Sequence, residues 1–391
     1  MEKSEDTIER LREFAESAHS LLDEMRVSGD GHHEGKSVDL RYSIREVCEM
    51  IGKSASTIYR AQSAGSIPTP EKRIGSGQSA GYTLAELNQV RDHFDCKPWR
   101  SETDPPCILA VQNFKGGVGK STVSTHLSQY LAQQGYRVLL VDADSQATAT
   151  AMFGFNPDID FSENDTLLPV LQNQHLDLAA LVRPTYWDGL DIIPSNLGLY
   201  TAEYQLAADY ISDADGMNRL KRSLAPVARS YDVVIIDPPP ALGMISLSVV
   251  RASNAVLIPC PPLTADFAST ATFLQMIWEV AETLQSRSLD VEYQFIKFVL
   301  TKTDANKSAQ TALRAAMMAV FGDAVLETPL LTSAEYESAS LDMRTIYEVG
   351  QTRRPTYTRA RRNLDAVFAE VELSIRRTWP SHENRILQGV R

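Results

Sequence analysis

Long hydrophobic runs are missing from this sequence of 391 residues. No stretch approaches the ~18 apolar residues of a membrane-spanning helix, so no membrane association of that kind is expected. Cysteine is scarce, with four residues at 48, 96, 107 and 260 and no CxxC or other ligand spacing. That argues against a disulfide scaffold or a zinc site and for reduced thiols in a cytoplasm. Positive charge is in deficit: 38 Lys and Arg against 50 Asp and Glu leave a net charge of −12. A chain coated in nucleic acid is thereby disfavoured, and any contact with DNA has to come from local basic patches. Internal repeats and low-complexity tracts are absent. The opening stretch MEKSEDTIERLREF is charged throughout and does not read as a signal peptide. What remains is an ordinary globular composition, 43% apolar and 23% charged, on a chain long enough for two or three domains.

The stretch that organises the rest is Phe114-Lys115-Gly116-Gly117-Val118-Gly119-Lys120-Ser121-Thr122. It follows the apolar run Ile108-Leu109-Ala110-Val111 and opens a helical pattern from Val123 to Gln134. A glycine-rich turn between strand and helix points successive backbone N–H groups into one concavity, and the helix N-terminus adds positive potential. Lys115 to Thr122 are therefore read as the nucleotide-binding loop. Lys120 would reach the β- and γ-phosphates, and the Ser121 hydroxyl would sit on Mg²⁺. The general P-loop pattern asks for glycine at 114; here Phe114 stands there, followed by an extra lysine, Lys115.

Residues 1–36 are acidic and helical in period, with Ile8, Leu11, Phe14, Leu21, Leu22 and Met25 apolar. That stripe is read either as a dimerisation surface or as packing on its own domain, and His32-His33 as a solvated loop. Residues 37–95 read as a small separate unit. Ser43-Ile44-Arg45-Glu46 is a capping box, Gly52 stops the helix it opens, and Ser54-Ala55-Ser56 starts a second. Lys72 to Tyr82 looks like a basic β-wing, and Thr83-Leu84-Ala85-Glu86 opens a further capped helix. In a helix-turn-helix reading the second helix enters the major groove, with Ser54, Ser56, Thr57, Tyr59 and Arg60 facing DNA and Lys72 and Arg73 meeting phosphate. Residues 96–106, with three prolines, read as a linker. Residues 107–391 then alternate near-continuous apolar strands with helical patterns, which means a mostly parallel sheet covered by helices on both faces.

Three aspartates stand at strand ends. Asp237 closes Asp232 to Ile236 in the Walker B position, where a carboxylate can hold Mg²⁺ opposite Ser121. Asp142 and Asp144 end Arg137 to Val141, and either could instead cap the following helix. Thr301-Lys302-Thr303-Asp304 is loosely similar to base-recognition segments of GTPases. Near the C-terminus Arg353, Arg354, Arg359, Arg361 and Arg362 run with no acid between them, a candidate phosphate-backbone patch.

KGGVGKST resembles the deviant Walker A motif of the ParA/MinD group of P-loop ATPases. Together with VDADSQ, Asp237-Pro-Pro-Pro and a front module similar to MerR-like winged domains, the chain resembles type Ia ParA proteins. Ile346 to Gly350 and the Arg-rich helix are similar to the RepA partition proteins of repABC-type plasmids. The resemblance implies ATP as the nucleotide, with Lys115 reaching across a homodimer to the partner's phosphates. It makes Asp144 the residue that orients the attacking water and Asp142 a support of the Mg²⁺ shell. It further implies non-specific DNA binding through Arg353, Arg354, Arg361 and Arg362, stimulation by a ParB-type centromere-binding partner, autorepression through the winged module, and a cytoplasmic, nucleoid-associated life. A membrane-cycling MinD-like ATPase is disfavoured by the short, mixed tail, and a nitrogenase-type iron–sulfur reductase by the cysteine positions. A nucleotide-sensing transcriptional repressor without a motor role is the alternative.

Overall fold

The computed structural model describes residues 36 to 387 apart from 37, 39, 74, 76, 173–176, 213, 287–290, 342 and 350–353, together with 9, 10, 12–14, 16–18, 20 and 21. The N-terminal helix expected over 1–36 lies largely outside the described residues, as do His32-His33 and Arg353.

Local signals build the front unit. The helix α1 (Ile44–Ile51) begins at Ser43, whose hydroxyl accepts from the Glu46 N–H while the Glu46 carboxylate accepts from the Ser43 N–H at 2.7 Å. Such caps contribute about 1 kcal/mol. Gly52, at φ 69°, ends the helix in the left-handed conformation, and α2 (Ala55–Ser63) follows at once from the cap Ser54. Main-chain hydrogen bonds from the Arg73 N–H to Gln78 and from the Ala80 N–H to Glu71 form a short hairpin. The helix α3 (Leu84–His93) starts from the second capping box, at Thr83. Val47, Ile51, Ile58, Leu84, Leu87 and Val90 are buried between these elements.

The larger part is a seven-stranded sheet. Its strands are β1 (Cys107–Val111), β2 (Val138–Asp142), β3 (Arg183–Pro184), β4 (Leu190–Ile193), β5 (Val233–Asp237), β6 (Ala255–Cys260) and β7 (Phe295–Leu300). They lie in the order β3-β4-β2-β5-β1-β6-β7, and all pairs are parallel except β3–β4. Every residue of β2, β5 and β6 is buried, because helices cover both faces and leave no polar side for alternation. The two-residue edge strand β3 has no signal in the sequence.

One face carries α4 (Lys120–Gln134), which runs from the glycine-rich loop and is buried from Val123 to Gln133. Its polar residues are covered from three directions. The C-terminal helix α12 (Pro355–Arg376) lies along it, so that the Tyr130 hydroxyl donates to Glu372 at 2.9 Å. Beside it Tyr347, Leu364 and Phe368 are buried. The front unit closes on its far end: buried Arg91 of α3 donates to the Gln133 carbonyl at 2.7 Å, and the Tyr42 hydroxyl to Gln133 Oε1 at 3.3 Å. The proline-containing segment 96–106 is packed rather than spanning open solvent. Trp99 Nε1 donates to the Gly135 carbonyl, and buried Arg100 donates to the carbonyls of Tyr231, Asp104 and Arg229.

Further helices on the sheet are α5 (Thr148–Met152), α6 (Thr201–Ser212), α7 (Arg219–Ala228), α8 (Met244–Ala252), α9 (Thr264–Ser286), α10 (Ser308–Phe321) and α11 (Ala334–Leu341). No helix among the described residues is long and apolar enough to cross a membrane.

Candidate nucleotide site and DNA-facing surfaces

The C-terminal edge of the sheet brings the sequence-predicted residues together. β1 and β5 are neighbours and β5 pairs with β2, which places the loop after β1 beside Asp237 and sets Asp237 opposite Asp142. Gly117 (φ 73°) and Gly119 (φ 96°) take left-handed backbone that a side chain would strain, and this closes the turn on itself. Lys120 is buried and donates to the Lys115 carbonyl within the loop at 3.2 Å. Burial lowers its pKa, and the nearby charges of Asp237 and Asp144 oppose that shift.

Asp237 is fully buried, and its Oδ1 accepts from the Ser124 hydroxyl at 3.0 Å. The Ser121 side chain lies close enough to this carboxylate to lower its pKa. Its Oδ2 is buried with no hydrogen-bond partner. An orphaned carboxylate oxygen is costly unless something outside the chain pairs with it. A hydroxyl and a carboxylate at the mouth of a phosphate-binding loop are the hard oxygen donors that Mg²⁺ takes alongside phosphate and water. No group of three or more His, Cys, Asp or Glu that could hold a metal alone occurs among the described residues, so such an ion would need the nucleotide's oxygens as well.

Asp142 is differently employed. Its Oδ2 accepts from both the N–H and the hydroxyl of Thr150, at 2.8 and 2.7 Å, and its Oδ1 accepts from the Asp144 N–H at 3.2 Å. Both oxygens thus hold the segment that follows, and the carboxylate straps the Asp144 loop to α5. Burial, and then the charge of Asp237, raise the Asp142 pKa; burial likewise raises that of Asp237 against the serine hydrogen bonds. Asp144 itself bonds at Oδ1 to the Gln146 N–H at 3.0 Å, and the next turn passes through Ala147 at φ 50°.

Phe114 and Lys115 both face α9. The Phe114 ring meets Phe273 edge-on at 4.6 Å between centroids, inside an apolar cluster with Ile258 and Phe298. The departure from glycine at 114 therefore anchors the start of the loop. One residue on, Lys115 forms an ion pair with Asp266, in the first turn of the same helix. Nothing in the sequence marks Asp266, because an acidic residue in a first helical turn is ordinary.

Beside the loop opens a cavity of about 520 Å³, lined by Gly119, Thr122, Lys302, Leu331, Ser333 and Tyr336 among others. Thr301 ties this wall to the loop by donating to the Val118 carbonyl at 2.8 Å, and Lys302 adopts φ 51°. Asp304 accepts from the N–H and the amide of Asn306 and does not line the cavity, whereas Thr301 and Lys302 of the same segment do.

The residues expected to face DNA divide. Ser54, Ser56, Tyr59, Arg60, Lys72 and Arg73 are exposed and Thr57 is half-buried; the hydroxyls of Ser54, Ser56 and Thr57 bond among themselves at 2.9 Å. Of the arginine run, Arg354, Arg359 and Arg362 are exposed, and Arg354 lies 3.8 Å from Glu335. Arg361 corrects the expectation. It turns inward onto the Tyr347 ring, at 5.6 Å, and donates to Gln133 Oε1 at 3.3 Å. Its position four residues after Tyr357 and three before Leu364 turns it towards the buried face and leaves it half-buried, a poorer surface contact than Arg362.

Comparison with known proteins agrees with this geometry. The family described as "AAA domain" matches residues 107–291. Over 353 residues the chain is 33% identical to "Putative replication protein A" of Sinorhizobium fredii, covering 87% of each. Over 373 residues it is 31% identical to "Protein SopA" of Escherichia coli K12, covering 93% of this chain and 95% of the relative. The chain belongs to the ParA/SopA family of partition ATPases. Its fold agrees with a solved "Partition Protein" at TM-score 0.67 and 20% identity, over 93% of this chain and 98% of the other. The ParA/SopA likeness thus runs through the front unit as well as the sheet.

Proposed function

We propose that this chain is an ATP-hydrolysing plasmid partition protein. In this reading it acts as a nucleotide-bound homodimer on DNA of any sequence, is stimulated by a ParB-type centromere-binding partner, and represses its own operon through residues 37–95. The observation that carries the hydrolytic reading is Asp237: a buried carboxylate with one unpartnered oxygen, set between Ser121, Ser124 and Lys120. Ser121 and Asp237 would hold Mg²⁺, which would supply positive charge to offset that of the phosphates. The chain's own residues do the rest. The glycine-rich loop N–H groups and Lys120 cradle the phosphates, and Asp144, held by Asp142 through its own N–H, orients the water that attacks the γ-phosphorus. Lys115 of the second protomer supplies a cation to the charge that develops, so turnover depends on dimerisation.

Operator reading is supported by the exposed face of α2 and the basic hairpin. The test is Mg²⁺-dependent phosphate release by the whole chain, with and without duplex DNA and a ParB-type protein, for the parent and for Asp144→Ala. Partition activity predicts stimulation by both additions and loss of turnover by orders of magnitude in the variant, with ATP affinity kept. The alternative, a repressor that senses nucleotide, is supported by the direct mounting of the front unit on α4, and it predicts nucleotide-dependent operator binding with no stimulated hydrolysis.

A further inference from the structure

One cation near the site comes from outside the matched domain. Lys36 immediately precedes the front unit, and its ammonium meets three acceptors from two distant parts of the chain. It donates to the Met152 carbonyl at 2.6 Å, to the Met343 carbonyl at 2.9 Å, and pairs with Glu348 Oε2 at 3.2 Å. An ammonium has three protons, and all three are accounted for here. The same nitrogen lies 5.3 Å from the centre of the Tyr186 ring, and the stem passes Gly154, where a Cβ would stand 2.8 Å from Lys36 Cδ. The side chain is only 13% exposed.

Each acceptor leads back to the nucleotide site. Met152 is the last residue of α5, whose Thr150 holds Asp142 and so the Asp144 loop. Met343, at φ 50°, and Met152 both line the cavity beside the glycine-rich loop. Glu348 accepts at its other oxygen from Gln129 of α4 at 2.9 Å. The Lys36 side chain is therefore a strut between the segment after Asp144 and the helix that carries the phosphate loop.

We propose that Lys36 is a positioning residue for ATP hydrolysis: a cation from the N-terminal segment fixes α5, and through Thr150 and Asp142 the Asp144 loop, against α4. A buried lysine that meets carbonyls and one carboxylate is retained only where the geometry holds it, since its desolvation has to be offset by those contacts. It touches neither the phosphate loop nor the strand-end aspartates, so it acts through the backbone of α5 and through Glu348.

The test uses the full chain with Lys36→Met, which removes charge and donors, and Lys36→Gln, which keeps donors and removes charge. Positioning predicts that kcat falls about tenfold in Lys36→Met, less in Lys36→Gln, while equilibrium affinity for an ATP analogue stays within about threefold. Amide hydrogen exchange over 148–154 in the nucleotide-bound state rises about tenfold, with exchange in β5 unchanged. The kinetic arm rests on the reading that the chain hydrolyses ATP; the exchange arm does not, so a chain without ATPase activity would defeat that reading and leave the strut to be judged by exchange. Should Lys36→Met not fold, Lys36→Gln carries both measurements. Parental kcat with parental exchange over 148–154 in a folded variant would overturn the assignment, as would a fall in affinity as large as the fall in kcat.

Discussion

The Lys115–Asp266 pair offers a quantitative test of how the resting protomer is held. If Lys115 acts on the partner's nucleotide, each protomer has to release Asp266 before a productive dimer forms. The lysine side chain is 34% exposed and the aspartate 11%, so the pair belongs towards the upper end of the roughly 0.2–1 kcal/mol measured for exposed ion pairs. Two such pairs break per dimer, which sums to about 2 kcal/mol, and about 1.4 kcal/mol corresponds to a factor of ten. Asp266→Asn keeps a group of the same shape while removing the charge. It should tighten the ATP-state dimer dissociation constant by roughly 10- to 30-fold. Sedimentation velocity over a concentration series, with a slowly hydrolysed ATP analogue, reads this directly. The gain should shrink at high salt, because screening already weakens the pair in the parent. Weaker dimerisation in the variant, or a constant within about twofold of the parent at low salt, would refute the idea that Asp266 restrains Lys115.

Three further outcomes are expected. Lys120→Ala should lose nucleotide affinity in titration calorimetry, whereas Lys115→Ala should keep ATP binding and lose dimerisation and turnover. Because burial raises the pKa values of Asp142, to about 8, and Asp237, to about 6, above their unfolded values, the nucleotide-free protein binds more protons than the unfolded chain between about pH 4 and about pH 8, and its stability falls as pH rises through that window. Asp237→Asn should therefore raise the melting temperature of the nucleotide-free protein at about pH 8 and abolish stabilisation by Mg²⁺ with ATP. Replacing Arg354 and Arg362 by Ala should flatten the salt dependence of ATP-state DNA binding by about 0.9 in log–log slope for each phosphate no longer neutralised. Arg361→Ala should instead lower the melting temperature, because it removes a partly buried hydrogen bond to Gln133.

How much of this is legible in the sequence depends on whether the signal is local. Capping boxes at Ser43 and Thr83, the left-handed stop at Gly52 and the apolar strands ending in Asp142 and Asp237 are written in neighbouring residues, and all take the form their chemistry dictates. The departure at Phe114 is visible, but its reason is not, since Phe273 lies far along the chain on α9. The division of labour between Asp142 and Asp237 is equally hidden. Two strand-end aspartates look alike until Thr150 and the Asp144 N–H engage both oxygens of one, while an oxygen of the other stays bare. Arg361 is a matter of phase rather than of missing information, because charge read along the run ignores direction around the helix. The prolines of segment 96–106 suggest a spacer, and the tertiary hydrogen bonds of Trp99 and Arg100 cannot be seen there.

The burial of α4 has a consequence for how such proteins can be recombined. Ser124, Thr125, His126, Ser128, Gln129 and Gln133 are polar residues on a helix with no face left to water. His126 is held neutral by burial, bonded to the Thr122 carbonyl on one side and to the Ile346 N–H on the other. Ser124 is matched to Asp237 of the sheet, Gln129 to Thr345 and Glu348, and Gln133 to Tyr42 of the front unit and Arg361 of the C-terminal helix. The front unit is thus not a cassette that can be exchanged between relatives at the 96–106 junction: a graft would have to carry Tyr42 and Arg91 along with the surface of the helix they were fitted to. Chimaeras should tolerate changes in the exposed face of α2 and fail at the seam.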